Sequence, residues 1–326
     1  MELPASLKSA VERLLENQPL EPLMKAAERL SSRYRREVRD GVLHIGDDLA
    51  AKAYLAARLP ATFAAVRAAL EAVAESRSDF APKTLLDVGS GPGTALWATS
   101  DCWDGLERAT LVEASPAIRK VGETLSAALP FACDWQAGDI TRNLPALPPA
   151  DLVTLAYVLD ELPVDAVAKV TTRLWAMTGD VIAIIEPGTP AGFQRILVAR
   201  QTLIDQGAHI LAPCTHNAAC PVHGSDWCHF SRRVARSRLH RQVKQGEVPW
   251  EDEKYIFIAA ARKPATIKGA RVLMPPRIAG GVARLKLCES DGQLAEVMLS
   301  RRDGEAFKAA RRADWGDLLA TDIINR

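Results

Sequence analysis

The chain has 326 residues, 48% hydrophobic and 25% charged, with a formal net charge of +1. These are the proportions of an ordinary globular protein, long enough for one large domain and a small one or for two of middling size. No apolar run of about twenty residues is present to span a membrane, and Met1-Glu2-Leu3-Pro4 lacks the basic patch and apolar core of a secretory signal, so a cytoplasmic location is expected.

Residues 1–78 read as helical. Ala, Leu, Glu and Arg dominate, and apolar residues recur at helical spacing, as in Leu55, Leu59, Phe63, Val66 and Leu70. Pro19, Pro22 and Pro60 mark breaks or helix starts. This is expected to be a helical cap preceding a nucleotide domain. Its basic cluster, Arg33, Arg35, Arg36 and Arg39, reads as a solvated helix face or an RNA contact.

Residues 79–262 alternate strand and helix. Candidate strands are Thr84–Val88, Ala109–Glu113, Asp134–Ala137, Asp151–Val158, Val181–Glu186 and Tyr255–Ala260, with helices such as Pro116–Ala128 and Val164–Met177 between them. Such alternation predicts an α/β fold with a parallel sheet and right-handed crossovers. Ligands of such sheets lie at the carboxyl ends of the strands. Gly89, Glu113, Asp160 and Glu186 all fall there, and are expected to ring one crevice.

The first strand runs into Asp87-Val-Gly-Ser-Gly-Pro-Gly-Thr94. Gly89, Gly91 and Gly93 allow a sharp turn and close approach to a ligand, and the helix that follows offers free N–H groups. A phosphate-clamping loop needs a Lys that is absent, and the third glycine comes one residue early for a dinucleotide fingerprint. The G-x-G-x-G pattern after Leu-Asp-Val resembles the first motif of class I S-adenosylmethionine-dependent methyltransferases. That likeness implies a Rossmann-like sheet, with Asp87, Gly89, Gly91 and Gly93 near the methionine end of the cofactor. Glu113, at the tip of the second strand, is placed to accept from both ribose hydroxyls. Asp139, in Ala137-Gly138-Asp139-Ile140, resembles the acid that meets the adenine amine.

The fourth strand ends in Tyr157-Val-Leu-Asp160-Glu161-Leu-Pro163. Tyr157, Asp160 and Glu161 are the candidates for orienting or deprotonating an acceptor. The Asn/Asp-Pro-Pro-aromatic of nucleic-acid amino methylators is absent here.

Cys214, Cys220 and Cys228 lie within fifteen residues, among prolines and beside His216, His223 and His229. Their intervals exceed those of C-x₂₋₄-C zinc pairs and suit iron–sulfur ligation, with zinc as the alternative. A fourth ligand is needed; one of these histidines or Cys288 is available. This Cys-rich insertion is assigned to 209–250. Its second half, with Arg232, Arg233, Arg236, Arg238, Arg241 and Lys244, reads as a basic helical segment.

From residue 263 the texture becomes β-rich, with runs at Ala270–Met274, Gly281–Leu287 and Leu294–Leu299 between turn signals. A small barrel-like, OB-like module is expected. From Ser231 to Arg326 there are 20 Lys+Arg against 12 Asp+Glu, whereas the first 230 residues carry 21 against 28. The basic C-terminal third suggests a face toward nucleic acid.

Together the glycine loop, Tyr157–Pro163, Glu186-Pro-Gly-Thr-Pro-Ala-Gly192, the Cys loop with Asp226-Trp-Cys-His-Phe230, and the Trp315-Gly316-Asp317 tail resemble one group. It is the methyltransferase-like assembly factors of the small ribosomal subunit, found in mitochondria and with bacterial relatives. The resemblance implies partnership with that subunit and its rRNA. Off the ribosome the protein is expected to be a monomer. It also implies a four-iron–four-sulfur cluster on Cys214, Cys220, Cys228 and Cys288. Two functions follow: an S-adenosylmethionine-dependent rRNA methyltransferase, or a non-catalytic assembly factor that keeps the fold as a scaffold.

Overall fold

The computed structural model describes all residues except 38, 39, 41, 143, 268 and 321–326. Arg39, counted above in the basic cluster, lies outside the described residues.

Four helices open the chain: α1 (Ala5–Leu15), α2 (Leu20–Arg35), α3 (Asp48–Ala57) and α4 (Leu59–Ser76). Asp47 caps α3 by accepting from the Ala50 amide, and Pro60 sits in the first turn of α4, where a missing N–H costs nothing. These helices share one continuous apolar core with the sheet that follows.

That sheet is built from β1 (Thr84–Val88), β2 (Arg108–Glu113), β3 (Ala132–Ala137), β4 (Ala150–Ala156), β5 (Thr178–Pro187), β6 (His209–Ala212), β7 (Phe230–Ala235) and β8 (Trp250–Ala261). Helices α5 (Thr94–Cys102), α6 (Pro116–Ser126), α7 (Ala166–Ala176) and α8 (Pro190–Asp205) connect its parallel strands, and α9 (Arg238–Lys244) precedes β8. The strand order is β3-β2-β1-β4-β5-β8-β6, with β7 also on β8. The first five strands are parallel and β8 runs antiparallel to β5. This is the class I methyltransferase arrangement. β4 and β5 are rich in Val, Ile and Leu because both their faces are covered. The order reverses between β1 and β4, and such a switch point is where a ligand crevice opens.

A second, smaller core gathers Ala270, Val272, Leu285, Leu287, Leu299 and Phe307. It belongs to an antiparallel sheet of β9 (Ala270–Val272), β10 (Arg277–Ala279), β11 (Val282–Cys288), β12 (Leu294–Ser300) and β13 (Leu318–Leu319), with α10 (Glu305–Arg312) packed against it. Among the described residues no pairing closes this sheet into a barrel. Buried Arg271 on β9 ties the module to the rest. Its guanidinium donates to Pro213 O in the Cys loop, to Gly316 O in the tail and to Glu75 on α4. No helix among the described residues is long and apolar enough to cross a membrane.

One segment departs from expectation. The basic stretch from Ser231 is strand β7, not helix; only Arg238–Lys244 is helical. Its partner is the acidic start of β8, and the register places Arg233 opposite Asp252 and Arg232 opposite Glu253. Opposite charges facing across two strands stabilise a pairing that neither segment announces alone.

Candidate functional site

A cavity of about 570 Å³ opens at the carboxyl ends of β1, β2 and β4. Gly89 and Gly91 line it, and both take positive φ, +66° and +54°. At Gly91 the direction a Cβ would take is open for 4 Å among the described residues. At Gly89 a Cβ would meet Val158 at 2.4 Å. The Gly91 amide donates to Glu113 Oε2 at 2.8 Å, and the Ser115 amide to Glu113 Oε1 at 2.7 Å. Burial raises the Glu113 carboxyl, against the pull of these amides. Asp139 lines the wall beyond Glu113. The Thr141 amide and hydroxyl and the Arg142 amide donate to its Oδ1. Burial would raise this carboxyl, but those bonds outweigh it and hold it low.

Asp87 and Gly93 do not line the cavity. Asp87 is buried behind the loop, where it accepts from the Thr154 hydroxyl at 2.7 Å. Burial pushes its carboxyl up to about 7, opposed by that bond and assisted by Glu113. Gly93 sits against the Trp135 ring. Both support the loop from the side away from the cavity.

Tyr157, Asp160 and Glu161 line the same cavity. Tyr157 has φ +59°, which is uncommon for a bulky side chain and places its ring on the cavity wall. Its hydroxyl donates to Glu253 Oε1 at 3.0 Å. Burial pushes Asp160 up to about 6, with Arg195 opposing and Glu37 adding. Burial and then the charges of Asp160 and Glu113 push Glu161 up to about 8. Glu186, expected at the crevice, lies beneath it instead. It is fully buried, accepts from the Leu159 amide at 2.9 Å and stands 3.7 Å from Arg195. It fixes the turn that presents Asp160 and Glu161.

Sequence reasoning missed the roof. Tyr34 on α2, Tyr54 on α3, Arg58 between α3 and α4, and Glu253 on β8 all line the cavity. Arg58 stands 3.6 Å from Glu253 and over the Tyr34 ring at 5.9 Å. The helical cap is therefore part of the site. The one available signal was an aromatic, Tyr34, inside a run of arginines.

Cys288 joins the three cysteines of the Cys loop from sixty residues away in the chain. Cys214, Cys220, Cys228 and Cys288 line one small cavity of about 20 Å³, walled by apolar side chains such as Val222, Ile256 and Leu273. Burial raises the Cys228 thiol well above its usual range, and the other three cysteines add to this. His216 Nε2 lies 3.3 Å from Cys288 Sγ. Among the described residues no group of three or more His, Cys, Asp or Glu side chains is placed to hold a metal ion. His223 is not at the cavity; its Nδ1 lies 2.7 Å from Pro221 O. His229 stacks on Trp227 and meets the Trp315 ring edge-on. The Trp227 indole donates to Gly188 O at 3.1 Å, which ties the Cys loop to the turn before α8.

The basic stretch after the Cys loop is largely neutralised. Arg232 pairs with Glu71, Arg233 with Asp252 and Arg236 with Glu251. Glu251 also meets Lys244 and His240. These residues lock β7 and α9 onto β8, so the expectation that they form a free RNA-facing surface is corrected.

Residues 48–320 match the family described as mitochondrial small ribosomal subunit Rsm22. The human protein "Ribosome assembly protein METTL17, mitochondrial" is 29% identical over 283 residues, covering 82% of this chain and 61% of that protein. "Rsm22-cox11 tandem protein 2, mitochondrial" of Schizosaccharomyces pombe is 23% identical over 320 residues, covering 82% of this chain and 42% of its own length. The chain thus spans about half the length of the curated relatives it matches. Those relatives are mitochondrial proteins, which overturns the expectation of a cytoplasmic location. Among solved structures, a magnesium protoporphyrin IX methyltransferase from Synechocystis with bound S-adenosylmethionine aligns with TM-score 0.41 at 13% identity, covering 76% of this chain and all of that one. The N-methyltransferase NodS from Bradyrhizobium japonicum aligns with TM-score 0.38 at 14% identity, covering 59% and 93%. The fold assignment rests on the strand order, not on these likenesses.

Proposed function

This chain belongs to the Rsm22 family, and from that membership we propose that it serves assembly of a small ribosomal subunit by binding its rRNA, with S-adenosylmethionine held in the glycine-loop cavity. The observation that carries the cofactor reading is the pairing of Gly91 with Glu113 on a 570 Å³ cavity at the sheet's switch point. Empty space beside Gly91 suits the methionine end of the ligand. Glu113, fixed by two amides, suits the ribose hydroxyls, and Asp139 suits the adenine amine. Asp87 and Gly93 contribute by shaping the loop. The whole chain is proposed to act as a monomer off the ribosome.

The cavity wall favours a scaffold over a nucleic-acid methylase. It carries Glu37, Glu113, Asp139, Asp160, Glu161 and Glu253 against Arg35, Arg58 and Lys244. An acid-rich mouth admits a sulfonium cation and resists a phosphate backbone. The methylase reading keeps one specific support, the gathering of Tyr157, Asp160 and Glu161 beside the glycine loop, where they would orient or deprotonate an acceptor. Incubation with immature small-subunit rRNA and methyl-labelled cofactor decides between them. Complex formation without label in RNA is the expected result, and stoichiometric label in RNA would establish catalysis.

The cysteine cavity is proposed to take a four-iron–four-sulfur cluster on Cys214, Cys220, Cys228 and Cys288. Four soft thiols lining one apolar void supply the thiolate set that an iron–sulfur cluster takes. When bound, the cluster supplies a covalent cross-link between the Cys loop and β11. The His216–Cys288 contact joins the same two parts, and Arg271 ties the Cys loop to the neighbouring β9.

A further inference from the structure

The second sheet carries a charge pattern that its own fold does not balance. On its outward face Arg277 of β10 stands directly opposite Arg284 of β11 in the antiparallel register. Side chains so placed lie ~5 Å apart at Cβ, and like charges there oppose the pairing. Both are exposed, and among the described residues neither has an ion-pair partner. Arg301 joins them at the hairpin end. A Cβ on Gly281, in the β10–β11 turn, would meet Arg301 Nε at 3.2 Å, so this guanidinium lies over that turn. Arg301 is exposed and has no ion-pair partner among the described residues either. Met298, 64% exposed, lies opposite Arg284 on the other side. The face holds one exposed carboxylate, Glu296, opposite Lys286. Lys286 is already bound to Asp226 of the Cys loop, so the cysteine site covers one end of the face and the arginines occupy the other.

We infer that Arg277, Arg284 and Arg301 form a docking face for the phosphate backbone of structured RNA, beside the cysteine site. This deepens the rRNA-binding reading above and rests on it. Three exposed guanidiniums with no ion-pair partner among the described residues leave their planar forks open to an external polyanion, and those forks fit phosphate oxygens in a bidentate fashion. β10, β11 and β12 contain no aromatic residue. The face therefore lacks the stacking platform that single-stranded bases require, and it reads backbone, not sequence. Arg232, Arg233 and Arg236 are held in internal pairs, which leaves the C-terminal module, already expected to face RNA, as the better carrier of that surface.

The test is anisotropy of a labelled, folded small-subunit rRNA fragment against the full chain across a salt series. The variants are Arg277→Gln/Arg284→Gln and Arg277→Glu/Arg284→Glu, with circular dichroism as the folding control. Both sites are exposed, so both variants should fold as the wild type does. The wild type is expected to bind, and a scrambled fragment of equal secondary structure should bind equally. The Gln variant should flatten the log–log salt slope by about two, one per lost phosphate contact. The Glu variant should bind at least tenfold more weakly at low salt. Unchanged slope and affinity in both variants, with wild-type binding intact, would overturn this face while leaving the rRNA reading standing. Preferential binding of polyglutamate over RNA would assign the face to an acidic protein and overturn it too. Failure of the wild type to bind rRNA would remove the reading itself.

Discussion

The backbone amide of Gly91 donates to Glu113 Oε2 at 2.8 Å, so the glycine loop and the second strand's acid are joined before any ligand arrives. One carboxylate thus orders the loop and faces the cavity. Glu113→Gln keeps the volume but removes the charge and one acceptor. Hydrogen bonds to charged groups contribute roughly 1.5–3 kcal/mol. Cofactor affinity measured by calorimetry should therefore fall about tenfold or more, with little change in thermal stability. Unchanged affinity would take Glu113 out of the site.

Cofactor binding should depend on pH in a charge-specific way. The Glu161 carboxyl is pushed up to about 8 and Asp160 up to about 6, by burial first in each case. A neighbouring sulfonium favours the ionised carboxylates. The affinity for S-adenosylmethionine should therefore rise between about pH 6 and pH 8 and level off above, with proton release on binding. S-adenosylhomocysteine has a neutral sulfur and should show a flatter profile. Identical profiles for the two ligands would mean that Asp160 and Glu161 do not face the methyl end.

The cysteine site gives a spectroscopic and a mechanical readout. Anaerobically purified protein should contain iron and sulfide and absorb broadly near ~400 nm. Cys288→Ser should bleach that band and speed proteolysis after Arg262, because the link between β11 and the Cys loop is gone. His216→Ala should keep the iron, since Cys288 is the proposed fourth ligand and His216 contacts its sulfur. One zinc per chain without iron would overturn the cluster. Iron retained in Cys288→Ser but lost in His216→Ala would exchange the two roles.

Glu251 is the hub that fixes β7 and α9 on β8. Burial alone would raise its carboxyl, but His240, Lys244 and Arg236 outweigh this and hold it below the usual carboxylate range. A carboxyl depressed in the folded state stabilises the fold above its unfolded value, near 4, and that contribution is lost as pH falls below it. Glu251→Gln leaves two cations without a counter-charge and should cost about 3 kcal/mol at neutral pH, the lower part of the range for breaking a buried pair. Its destabilisation should shrink toward pH 3. A denaturation midpoint equal to the wild type's at pH 7 would contradict the hub.

How much of this was legible in the sequence depended on how locally each feature is encoded. β1 was read at Thr84–Val88 and found there, because an apolar run stopped by a glycine is a local signal. β4 and β5 were similarly plain, since strands buried on both faces carry unbroken apolar runs. β7 was misread because its strand partner, the acidic start of β8, lies some twenty residues away; each strand is too polar alone to look like one. The glycine loop, Glu113 and the Tyr157–Glu161 turn were visible as strand ends. The roof residues Tyr34, Tyr54 and Arg58 were not, because a helix's inward face says nothing of what it covers. Cys288 stood out only as a remote cysteine. Its convergence with the other three is a tertiary fact.

Calorimetric titration of S-adenosylmethionine into the wild type and Gly91→Val decides whether the glycine-loop cavity holds the cofactor. Gly91 has φ +54° and empty space where a Cβ would point, so a valine there strains the loop and fills the ligand's place. The wild type should bind in the micromolar range, roughly −8 kcal/mol, and the variant should show no saturable heat while keeping its fold by circular dichroism. No binding by the wild type, or undiminished binding by Gly91→Val, would contradict the account.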